Sequence, residues 1–167
     1  ALLPRMFEPP PGTVLVDGIG SSITLSGFLG TQASPGQSAQ MIIGRTGGNG
    51  SVTVQNGATV GISGVGAASV FPGFNVGFGS MGTLKVTGVP GALPANNTNV
   101  NITGNRFGGG MVIGNAQSIS SPLFSAPGTG TVTFESGANV TITSSPLAAS
   151  GFNLGIGVGS TGTLNVT

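Results

Sequence analysis

Apolar and polar side chains alternate in short runs along this chain, and the same runs return in the same order. One run opens on glycine and occurs five times, as Gly12-Thr13-Val14-Leu15-Val16, Gly50-Ser51-Val52-Thr53-Val54, Gly82-Thr83-Leu84-Lys85-Val86, Gly130-Thr131-Val132-Thr133-Phe134 and Gly162-Thr163-Leu164-Asn165-Val166. A side-chain period of two predicts a β-strand with one apolar face and one face rich in threonine. This is strand A. A second alternating run follows each of the first four: Ile23 and Leu25, Val60 and Ile62, Val100 and Ile102, Val140 and Ile142. This is strand B. A third, strand C, closes on glycine at Met41-Ile42-Ile43-Gly44, Phe74-Asn75-Val76-Gly77, Met111-Val112-Ile113-Gly114 and Phe152-Asn153-Leu154-Gly155.

The order A, B, C repeats four times and then A begins again at Gly162. An array of this kind is the signature of a solenoid, because each repeat can bury its apolar face only against the next. The expected fold is all-β: a right-handed parallel β-solenoid, a three-sided β-helix of about four coils plus a partial fifth, spanning residues 12–167. A β-sandwich is the competing architecture, but its strands do not usually recur as three phrases in fixed order. Coils measured between the opening glycines are 38, 32, 48 and 32 residues long. The excess over 32 falls in insertions at 27–40, 64–73, 88–98 and 115–129, and such loops cost little because closure entropy grows only logarithmically with length. The prolines there, among them Pro35, Pro72, Pro90, Pro94, Pro122 and Pro127, are expected off the hydrogen-bonded ladders. Gly44, Gly57, Gly77, Gly114, Gly137 and Gly155 fall at predicted corners.

Composition narrows the functions available. Charged residues make up 4% of the chain against about 25% in typical soluble domains, and the formal net charge of +1 leaves no basic stripe for phosphates. Trp and Tyr are absent, so little is present for bases to stack on. Weak net charge gives little repulsion between copies and suits a chain that lives in an assembly. With no His and no Cys, and with Lys85 as the sole lysine on an outward strand position, serine-triad and cysteine chemistry have no base or nucleophile. Asp17 and Glu135 occupy equivalent positions three coils apart, too far for a carboxylate pair. Polysaccharide-cleaving β-helices need clustered charge on one face, and none is visible. No catalytic residue, metal ligand or cofactor is therefore expected; Gly47-Gly48-Asn49-Gly50 and Gly108-Gly109-Gly110 read as corners, not phosphate loops.

No apolar run reaches the ~18 residues of a membrane-spanning helix. The start, Ala1-Leu2-Leu3-Pro4-Arg5, would suit a mature exported chain. Five Asn-Xaa-Ser/Thr triplets occur, at Asn49, Asn96, Asn101, Asn139 and Asn165. Asn49 and Asn96 are the candidate glycosylation acceptors because the others lie in strands, where outward Asn and Thr are better read as ladders along a face.

The phrases Gly-Thr-Leu-Xaa-Val-Thr-Gly, Val-Xaa-Ile and Xaa-Val/Ile-Gly resemble the repeats of autotransporter passengers and the short PEP-CTERM-associated repeats of large secreted bacterial proteins, from Gly12 to Thr167. The resemblance implies an exported, extracellular or cell-surface β-solenoid without catalytic residues. It also departs from that pattern, since passengers are typically much longer and precede a membrane-embedded barrel.

The two ends of the repeat array suggest self-assembly. Residues 1–11 form an expected extended N-terminal arm: Ala1-Leu2-Leu3-Pro4-Arg5 resembles strand C as written at Met41-Ile42-Ile43-Gly44-Arg45, and a proline-rich connector follows. At the other end a complete strand A carries Leu164 and Val166. The expected self-assembly interface is Leu2, Leu3, Met6 and Phe7 of one copy against Leu164 and Val166 of another, by strand addition, in a head-to-tail homopolymer. The expected function is a structural subunit of a secreted bacterial filament or sheath; the alternative is a monomeric adhesin segment binding a cell-surface or matrix glycan. No nucleic-acid partner is expected.

Overall fold

In the computed structural model, which describes residues 12–27, 39–45, 47–64, 73–104, 109–119, 121–143, 150–156 and 159–167, the three recurring runs become three parallel sheets. Strand A supplies β1 (Thr13–Asp17), strand B β2 (Ser22–Ser26) and strand C β3 (Gln40–Arg45). The next coil is β4 (Gly50–Gln55), β5 (Thr59–Ser63) and β6 (Gly73–Phe78), and the third β7 (Met81–Thr87), β8 (Asn99–Thr103) and β9 (Gly109–Asn115). A two-stranded antiparallel ribbon, β10 (Gln117–Ile119) and β11 (Ser121–Ala126), interrupts the path before β12 (Thr129–Glu135), β13 (Asn139–Thr143), β14 (Ser150–Ile156) and β15 (Thr161–Val166).

Sheet A runs β1-β4-β7-β12-β15, sheet B β2-β5-β8-β13 and sheet C β3-β6-β9-β14, each in sequence order with parallel pairing. The protein is a three-sided parallel β-solenoid, as the periodicity predicts. Register is strict: Val14, Val52, Leu84, Val132 and Leu164 lie one above another, as do Ile23, Val60, Val100 and Val140. A one-residue slip would turn every such column outward, so the alternating pattern itself enforces the pairing.

The core is the sum of these columns. Val54, Val60, Val76, Leu84, Val86, Val100, Met111, Ile113 and Val132 have no exposed surface. In the first and last coils some of these positions lose their cover on one side: Val14, though inward-facing in register, is exposed, while Val16 and Ile43 of the same coil stay buried.

At the corner from strand C to strand A, the backbone of the next coil leaves no room for a Cβ at Gly44, Gly77 and Gly114. Gly44, Gly77, Gly114 and Gly155 all sit at φ between 65° and 78°, a region open to Gly and strained for other residues. A Cβ at Gly77 would also clash with the Thr129 carbonyl oxygen. The corner from A to B uses consecutive left-handed residues at Asn56-Gly57 and Ser136-Gly137. In the third coil an insertion with a 3₁₀ turn at Pro94–Asn96 replaces that corner. Asn97 Oδ1 accepts from the Val89 and Thr98 amides, its Nδ2 donates to the Gly137 carbonyl, and Thr98 Oγ1 accepts from the Gly57 amide. Two side chains thus clamp a lengthened coil to the coils on either side of it.

Two expectations change. The 115–129 insertion is not a plain loop but the β10–β11 ribbon, and Pro122 lies within β11. A two-stranded ribbon leaves half of each strand's amides unpaired, so a residue without N–H is tolerated there; it stays out of the three stacked sheets. The insertions at 27–40 and 64–73 fall largely outside the described residues.

Gly77→Ala is expected to cost more than about 2 kcal/mol in chemical denaturation, from left-handed strain plus a backbone clash. Gly61→Ala, at a site where a Cβ meets nothing within 4 Å, should change stability by less than about 0.5 kcal/mol.

Candidate functional site

The last coil leaves an apolar cavity of about 420 Å³ at the end of the solenoid. Phe134 of β12, Val140 and Ile142 of β13, Phe152 of β14, and Leu164 and Val166 of β15 line it. Phe134 and Phe152 meet edge to face, ring centroids 6.2 Å apart at 61°, a favourable geometry for an aromatic pair. The contrast with the preceding coil defines the surface. Met111 and Ile113 of β9 are fully buried, whereas Phe152 and Leu154, their partners in register on β14, are 39% and 48% exposed. Val166 is 72% exposed, while Val86, two strands away in the same column, is fully buried.

At the opposite end Ile23, Leu25 and Met41 are half-buried and Val14 is exposed. These are the same column positions as Val140, Ile142, Phe152 and Leu164. The two ends therefore carry chemically matching rungs. Leu164 and Val166 both line this cavity. Leu2, Leu3, Met6 and Phe7 lie outside the described residues, as does the whole 1–11 arm. The sequence reading did not select Val140, Ile142, Phe152 and Leu154, although its strand assignments placed them in the final coil.

The chain matches no protein-family model, no curated protein and no solved structure. Its chemistry is therefore read from its own surfaces.

Of the charged residues described, Asp17, Lys85 and Glu135 lie on sheet A and Arg45 on sheet C. Lys85 Nζ lies 2.8 Å from Glu135 Oε1, diagonally across adjacent strands β7 and β12. The same oxygen accepts from the Thr87 hydroxyl at 2.8 Å. The Lys85 ammonium hydrogen-bonded to the carboxylate, followed by the Thr87 hydroxyl, holds Glu135 below the usual glutamate range. Asp17, in contrast, accepts from Asn56 Nδ2 at 2.7 Å at the far end of the sheet. Among the described residues no three His, Cys, Asp or Glu gather in a group, and no helix is long and apolar enough to cross a membrane.

Outward amides and hydroxyls bond from coil to coil: Asn139 Nδ2 donates to Asn99 Oδ1 at 3.1 Å, and Ser63 Oγ to Ser26 Oγ at 3.3 Å. Of the candidate glycan acceptors, Asn49 sits in the short corner before β4 and Asn96 in the insertion between β7 and β8. Asn49 Oδ1 accepts from the Ser80 hydroxyl and the Met81 amide. Asn96 is exposed, but the hydroxyl of its sequon partner Thr98 is buried and engaged by Gly57.

The Glu135 carboxyl is depressed in the folded chain, so its contribution to stability is full above the ordinary glutamate range. It is lost as pH falls through the folded value. A urea midpoint measured across pH 7 to 3 should fall less steeply for Glu135→Gln than for the parent chain.

Proposed function

We propose that this chain is a structural subunit of an extracellular filament or sheath, stacking head to tail through the ends of its solenoid. The observation that carries this reading is the pairing of two matching surfaces on one molecule. The end coil leaves Val140, Ile142, Phe152 and Leu164 half-buried or exposed, and the first coil does the same in the same columns at Ile23, Leu25, Met41 and Val14. A contact between two different patches of one molecule, repeated without closing, makes a filament. Each apolar side chain fully covered by the next copy contributes about 1.5–3 kcal/mol, and the exposed strand edges add hydrogen bonds. A structural role is also supported by where the ionisable groups stand, since Lys85 and Glu135 neutralise each other on a flat polar wall. The extracellular setting rests on the resemblance of the repeat phrases.

A second reading, an adhesin segment that binds a glycan, is favoured by the outer face of sheet B. Its central column is Thr24, Gly61, Asn101 and Thr141, all uncharged. That reading predicts one monomeric species at every concentration.

Sedimentation velocity and negative-stain microscopy separate the two. The parent chain should form filaments with rising concentration, whereas Ile142→Lys, which puts a charge in the end cavity, should remain monomeric with an unchanged far-ultraviolet spectrum. Filaments of equal yield from Ile142→Lys would remove the solenoid end from the assembly.

A further inference from the structure

The outer face of sheet B is unlike those of its two neighbours. Its central column is Thr24, Gly61, Asn101 and Thr141, and the columns on either side hold only serine, threonine and asparagine. No charged, aromatic or aliphatic side chain interrupts it. Sheet A, by contrast, turns Asp17, Lys85 and Glu135 outward, and sheet C places Ile42 and Val112 in its outward column.

Regularity is the second property of this face. All three pairings of sheet B run through five residues without a register shift, so outward groups recur about 4.8 Å apart from coil to coil and about 6.6 Å apart along each strand. The flanking columns are tied down. Asn139 Nδ2 donates to Asn99 Oδ1 at 3.1 Å, Ser63 Oγ to Ser26 Oγ at 3.3 Å, and Thr143 Oγ1 to the Ile102 carbonyl at 3.4 Å. Ladders of this kind keep a sheet flat. Between them the central column stands clear, with Thr24, Asn101 and Thr141 exposed.

A ligand that fits such a face must be neutral, must both donate and accept hydrogen bonds, and must repeat in two directions. Phosphates, acidic glycans and mineral surfaces need countercharge, which these positions do not supply. A lipid surface needs an apolar face. A single sugar ring is held by a concave site or an aromatic platform, and an array of short side chains provides neither. A lattice of water meets all three demands, since each of its oxygens donates and accepts. We propose that the outer face of sheet B is an ice-binding surface: its rows of hydroxyl and amide groups, with threonine methyl groups among them, seat on a crystal face of ice whose oxygen rows repeat on the same scale.

Each contact is weak, and the array engages as a unit. Groups already held by the coil-to-coil ladders lose little freedom on binding. Adsorbed molecules pin the crystal front, so ice advancing between them must curve outward, and its freezing point falls below its melting point. This gap, thermal hysteresis, is the readout. It does not depend on how copies of the chain associate.

The test uses the full 167-residue chain. Nanolitre osmometry should show hysteresis that rises with protein concentration, and the protein should enter slowly growing ice. Gly61 supplies a gain-of-function arm. It is the single gap in the array, and a Cβ there meets nothing within 4 Å, so Gly61→Thr extends the central column without crowding the coil. The concentration giving half-maximal hysteresis should fall about 3-fold, for one more methyl group covered on binding. Thr141→Lys, which brings a charge against a neutral lattice, should raise that concentration at least ~10-fold with an unchanged far-ultraviolet spectrum. Leu15→Lys, at an exposed outward position of sheet A, should leave it unchanged.

A parent chain that shows no hysteresis and is excluded from growing ice overturns the proposal. Equal losses in Thr141→Lys and Leu15→Lys, or no gain in Gly61→Thr, remove sheet B from the effect. Retention of the parent on crystalline cellulose or chitin, without any effect on ice, overturns ice binding and favours the glycan reading.

Discussion

Every coil of this protein depends on the coil next to it. An apolar residue such as Leu84 is shielded by Val52 on one side and Val132 on the other, all three at the same register position, and no single rung can bury its own interior. Stability is thus a property of nearest neighbours. The middle of the stack is dry and the end rungs are half-finished, and the same interaction that holds the molecule together is left unspent at both faces.

Strict stacking constrains the corners more tightly than the walls. The walls tolerate Thr, Asn, Lys or Gln on their outer side with little consequence. At the C-to-A corner Gly44, Gly77, Gly114 and Gly155 recur in one left-handed conformation, and at the first three the backbone of the next coil leaves no room for a Cβ. Where a corner is lengthened, side chains take over what the missing turn would have done. Asn97 and Thr98 satisfy backbone groups on the second, third and fourth coils and keep a 48-residue coil in step with 32-residue neighbours.

The three sheets were legible in the alternation of residues such as Val60 and Ile62, because a period of two and a fixed order leave few other arrangements. Three features were not. The β10–β11 ribbon was hidden by Pro122, which argues against a central strand and is harmless in a two-stranded one. The Lys85–Glu135 pair joins residues a long coil apart, visible once the insertion is removed from the count. The end cavity was half legible: Leu164 and Val166 stand in the final repeat, but Ile142 and Phe152 join them through stacking and not through sequence. The burial of Thr98 shows the same limit, since a loop threonine becomes core when its hydroxyl receives an amide from another coil.

Backbone hydrogen bonds in this architecture run along the long axis, from strand to strand. A pull on the two ends of the molecule therefore loads three columns of bonds in tension, with the rungs linked in series. Mechanical strength is set by the weakest rung and does not grow with length. Every strand pairing in sheet B joins five residues, against six and seven between the last strands of sheet A, so sheet B carries the smallest share of such a pull.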